Sequence, residues 1–79
     1  EHMTLLQLSQ EYAYSAELLS RRIAQLRREE AAAEGEDERF MLHRRILDLQ
    51  PMLQQCRHIQ RLAAGYYDRS YYRDERYTV

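Results

Sequence analysis

The chain is expected to fold as an all-α antiparallel helical hairpin. Three observations lead there: two long stretches with apolar residues at heptad-like spacing, an acidic run Glu34-Gly35-Glu36-Asp37-Glu38 between them, and very little punctuation elsewhere. With only two glycines and one proline in 79 residues, few and long elements are expected. The second helix carries Pro51 inside its apolar pattern, so it is expected to be kinked.

The first helix is expected over about residues 5–33. Thr4 is placed to cap it, and Gln7 at the third helical position completes a capping box. Met3 and Leu8 then stand where a hydrophobic staple would put them. Apolar positions follow at Leu5, Leu8, Tyr12, Ala16, Leu19, Ile23 and Leu26, with steps of 3, 4, 4, 3, 4 and 3. That is a heptad seam with one stutter near Tyr12. Leu6, Ala13 and Leu18 widen it to the stripe of a bundle helix. Ala31-Ala32-Ala33 favours continuation, and Gly35 is suited to the C′ position. Glu29, Glu30 and Glu34 oppose the negative end of the helix dipole, so fraying is expected after about residue 31.

The second helix is expected over about residues 38–64, capped by Asp37 and started among acids that suit its positive end. Its stripe runs Leu42, Ile46, Leu49, Leu53, Cys56, Ile59 or Gln60, and Ala63. Two readings of Pro51 compete: a kinked continuous helix, or two helices broken at Gln50. The unbroken apolar phase favours the kink. Gly65 is read as the end of this helix. A turn centred near residues 35–36 sets position i level with about 71 − i, so Leu5 faces Tyr66 and Tyr12 faces Ile59.

The chain therefore divides into a remnant at residues 1–3, a hairpin at 4–65 and a Tyr/Arg-rich segment at 66–79. Glu1-His2 ahead of Met3 reads as a cloning remnant. The segment holds five of the seven tyrosines, with three arginines and three acids. Tyrosine and arginine are enriched at binding hot spots, which makes Tyr67, Tyr71, Tyr72 and Arg73 the candidates for an external partner. Folding back over the open end of the hairpin, or stacking on single-stranded bases, are the other readings. Its balanced charge argues against phosphate binding. With its Tyr66-Tyr67 and Tyr71-Tyr72 pairs, this segment resembles the ending of small uncharacterised helical accessory proteins of bacterial mobile elements. That resemblance implies a cytoplasmic accessory protein acting as a regulator or an inhibitor of host defence.

Composition narrows the function classes. Net charge is −1, but its distribution is blocky: residues 21–28 carry four arginines and no acid, and residues 29–38 carry six acids and no base. All twelve cations are arginine, which favours planar, bidentate interface contacts as readily as it reflects codon bias. The pairs Arg21-Arg22, Arg27-Arg28 and Arg44-Arg45 could form a basic band for nucleic acid, although such arginines are more often solvated or offset by nearby acids. Cys56 is the only cysteine, which excludes an internal disulfide and fits a reducing compartment. No apolar run reaches the ~18 residues a membrane span requires. His43, Cys56 and His58 lack a zinc-ligating arrangement, and no phosphate loop, nucleophile elbow or carboxylate pair is present. No cofactor, no metal and no catalysis are expected.

Two helices cover their facing seams but not the rest of two wide stripes. Leu6, Leu18, Phe40, Met41, Leu47, Met52 and Leu62 fall outside a narrow seam, and a lone hairpin would leave them wet. The sequence thus predicts a non-enzymatic protein–protein interaction module that self-associates, most simply as a dimer forming a four-helix bundle. The expected assembly residues are Leu8, Leu19, Ile23, Leu26, Leu42, Ile46, Leu49 and Leu53. A small nucleic-acid-associated regulator is the alternative.

Overall fold

The structure, a computed structural model, describes the backbone of residues 4–72 and side chains through Tyr66. It consists of α1 (Leu5–Ala32) and α2 (Glu36–Tyr72), packed on each other as a hairpin. The capping box at the start of α1 is formed in full. The Gln7 amide donates to Thr4 Oγ1 at 3.0 Å, and the Thr4 amide donates to Gln7 Oε1 at 2.9 Å. Two of the four amides a helix start leaves without partners are thereby satisfied.

The turn differs from the expectation in its chemistry. Gly35 is not a left-handed C′ residue, because no described residue has a positive φ. α1 instead ends at Ala33, which is extended (φ −68°, ψ 138°) and whose amide donates to the Glu30 carbonyl at 3.3 Å. An extended residue redirects the chain without a left-handed step, so glycine's freedom is not required there. Arg39 reaches back across the turn, and its Nη2 donates to the Ala33 carbonyl at 2.6 Å. This covers an oxygen that the helix end would otherwise leave to water.

α2 also departs from its expected bounds at both ends. It begins at Glu36, so Asp37 sits inside the first turn with Glu36 and Glu38, where all three acids are attracted to the positive end of the dipole. The Arg39 amide bonds the Gly35 carbonyl at 3.0 Å, closing that turn. At the far end, Gly65 does not stop the helix, which runs on to Tyr72. Glycine in a helix interior costs about 1 kcal/mol relative to alanine. That penalty is of the same size as burying a single methyl such as that of Ala63, so glycine alone does not end the helix. α2 is also continuous through Pro51, so the chain does not break at Gln50. Pro51 is exposed, which keeps its ring out of the seam.

Cross-helix contacts report the register. Ser9 pairs with Gln60 and Glu30 with His43, so the pair numbers sum to 69 and 73 and bracket the expected 71. Tyr12 and Ile59, expected to be level, are both half-buried. The core is one cluster of Ala16, Ile23, Leu26, Ile46, Leu49 and Leu53, with Leu19, Leu42 and Cys56 packed against it. It is graded along its length. Ile23, Leu26, Ile46 and Leu49 fill the half near the turn, whereas the buried positions of the open half include the small residues Ser9, Ala16 and Ala63.

Candidate interaction surface

The seam positions are buried within the single hairpin. Leu26 is 1% exposed, and Ile23, Ile46, Leu49 and Leu53 are also buried. Leu8, Leu19 and Leu42 are half-buried along the same line. These eight residues are the sequence's candidates for assembly between copies, and the structure puts seven of them in the cluster between α1 and α2 of one chain, with Leu8 half-buried. The reason is geometric: a tight antiparallel turn brings the two seams face to face before any second copy is needed.

What remains for a partner is a different set, on faces the hairpin cannot cover. Leu6 and Leu18 on α1 are exposed. On α2 the exposed apolar residues are Phe40, Met41, Leu47, Met52 and Leu62. All seven are residues that the sequence places outside the narrow seam. Leu5, Tyr14 and Tyr66 add to the exposed apolar surface. With 3.6 residues per turn, Phe40, Leu47, Pro51 and Leu62 point away from the seam of α2, and Met41 and Met52 occupy one flank. Large exposed hydrophobic side chains concentrated on one helix face mark an interaction surface far more often than isolated ones do.

Polar side chains fix the hairpin and were not all foreseen. Ser9 is buried and donates through Oγ to the Gln60 carbonyl at 3.3 Å. The signal for it was its spacing: Ser9, Ala16 and Ile23 recur every seven residues, so Ser9 had to enter the seam despite its hydroxyl. His43 Nδ1 lies 3.0 Å from Glu30 Oε2 across the turn end. His43 is therefore engaged with a neighbouring helix. Glu30, Glu36, Arg39, Phe40 and His43 surround a shallow hollow there, open to solvent and mixed in polarity.

The arginines divide between side chains with a polar partner and side chains exposed to solvent. Arg21 Nε pairs with Glu17 Oε2 at 2.9 Å, and Arg22 Nη1 donates to Gln25 Oε1 at 3.0 Å. Arg27, Arg28, Arg44 and Arg45 are exposed. Cys56 is a free thiol, half-buried in the seam. Among the described residues, no group of three His, Cys, Asp or Glu side chains could hold a metal ion, and no helix is long and apolar enough to cross a membrane. The side chains of Tyr67, Tyr71 and Tyr72, all of Arg73, and the remnant at residues 1–3 lie outside the described residues.

Comparison with known proteins finds no matching family model, no matching curated protein and no matching solved structure.

Proposed function

We propose that this chain is a non-enzymatic protein–protein interaction module that acts by associating with itself. One observation carries the reading: after the two helices have covered each other's seams, Phe40, Met41, Leu47, Met52 and Leu62 remain exposed on the outer side of α2. Phe40 and Met41 are 62% and 66% exposed, which is costly surface for a short helix to leave in water. Among the described residues, the hollows at the turn end are open to solvent. A cytoplasmic regulatory or inhibitory role is part of the proposal and rests on the resemblance carried by the C-terminal tyrosine pairs.

The test is light scattering of the purified chain across a wide concentration range, beside the double variant Phe40→Ser, Leu62→Ser. Self-association predicts a mass above one chain that falls on dilution, and a monomer for the variant at unchanged helicity. Both substituted positions are solvent-exposed in the hairpin, so the variant keeps its fold. A natural chain that stays monomeric at millimolar concentration would refute the proposal.

A further inference from the structure

We infer that the occupant of the outer face of α2 is the same face of a second copy, running antiparallel about a two-fold axis close to Pro51. This rests on the self-association reading and adds which face meets which, and in what direction.

The Phe40–Leu62 pair sets the centre. Phe40 and Leu62 lie eleven residues before and eleven after Pro51, and all three point away from α1. An isologous contact needs each position to find its counterpart on the reversed copy. An axis at Pro51 sets Phe40 of one copy level with Leu62 of the other, twice over, and stacks the two Pro51 rings at the centre. Leu47 comes level with Gln55, and Met52 packs on the flank near its own equivalent.

The charges fix the direction. The turn end of the hairpin carries six acids and no base over residues 29–38. Residues 49–66 carry Arg57 and Arg61 and no acid. A parallel pairing would lay the acidic end against its copy, most of it solvent-exposed and well within one Debye length of about 8–10 Å. The antiparallel pairing instead brings Glu36 and Asp37 of one copy within about two helical turns of Arg61 of the other, at 1.5 Å rise per residue. Steering of this kind sets orientation more than affinity.

The resulting assembly differs from a square four-helix bundle. The seam side chains are already enclosed by α1 and α2, so the second copy adds its helices alongside. The order is α1, α2, α2 of the second copy, α1 of the second copy, with the two α2 helices at the centre.

Disulfide trapping tests this in a Cys56→Ala background, with each variant's mass checked by light scattering beforehand. Pro51→Cys is expected to form a disulfide dimer on mild oxidation. Phe40→Cys and Leu62→Cys are each expected to remain uncross-linked alone and to give a mixed dimer when combined. Dimers from Phe40→Cys alone and Leu62→Cys alone, with none favoured in the mixture, would show parallel pairing and overturn the inference. Proteins that light scattering shows to be dimers but that trap at none of these positions would place the contact elsewhere and overturn the inference while leaving self-association intact. Monomers throughout, including the unsubstituted chain, would overturn both.

Discussion

Replacing Leu26 by alanine is the sharpest test of where the stability of this hairpin resides. Leu26 is 1% exposed and belongs to the cluster of Ile23, Ile46, Leu49 and Leu53. Removing its terminal carbons forfeits about 0.8 kcal/mol per carbon in transfer free energy, or ~2.4 kcal/mol. A two-helix core has one layer, and the cavity it leaves adds to that loss, giving ~3–4 kcal/mol in total. A chain of 79 residues has roughly 4–12 kcal/mol of stability at ~0.05–0.15 kcal/mol per residue. Leu26→Ala is therefore expected to remove a large share, lowering Tm by roughly 15 °C or more. Leu62→Ala deletes the same atoms at a site 50% exposed, where the loss should be about 1 kcal/mol or less at concentrations that favour the monomer. Urea and thermal melts followed by circular dichroism at 222 nm measure both. If Leu26→Ala and Leu62→Ala cost the same in dilute solution, or if Leu26→Ala costs under about 1 kcal/mol, then the core is not between α1 and α2 as described.

Three further substitutions probe the ends and the turn. Thr4→Ala removes the Oγ1 that accepts from the Gln7 amide, while the residue-4 amide can still donate to Gln7 Oε1, and it should cost about 1 kcal/mol, read as a lower urea midpoint with an unchanged slope. Gly65→Ala should stabilise by about 0.5–1 kcal/mol, because Gly65 is helical and an added Cβ would meet nothing within 4 Å; a lower Tm would contradict a helix running through this position. Arg39→Ala should cost about 1 kcal/mol by releasing the Ala33 carbonyl, and it should speed amide exchange around the turn more than at Ile46.

Much of the hairpin was legible before any coordinates. Heptad spacing makes α1 and α2 amphipathic whatever surrounds them, and the Thr4–Gln7 box is a local hydrogen-bond exchange that needs no tertiary partner. The register followed because loop length alone sets it in an antiparallel pair. The roles expected of two glycines differ from the structure for one reason, although the α1 end itself falls at Ala32, close to the expected residue 33. Gly35 and Gly65 were read by their frequency at helix ends, a preference worth about 1 kcal/mol or less. Neither position has a left-handed φ: Ala33 turns the chain while extended, and Gly65 is carried through by the helix around it. Ser9 went unnoticed because a hydroxyl reads as surface until the Gln60 carbonyl is known to lie opposite.

The amino-acid order by itself determined two amphipathic rods and the residues each would offer to a neighbour, since periodicity is a property of the chain alone. Which of those residues would be used up inside one molecule was a tertiary decision. It depended on the seams meeting face to face, and only that meeting separates Leu26, enclosed, from Phe40 and Leu62, still in contact with water. The candidate surface is thus a remainder, and a remainder is visible only after the packing has been done.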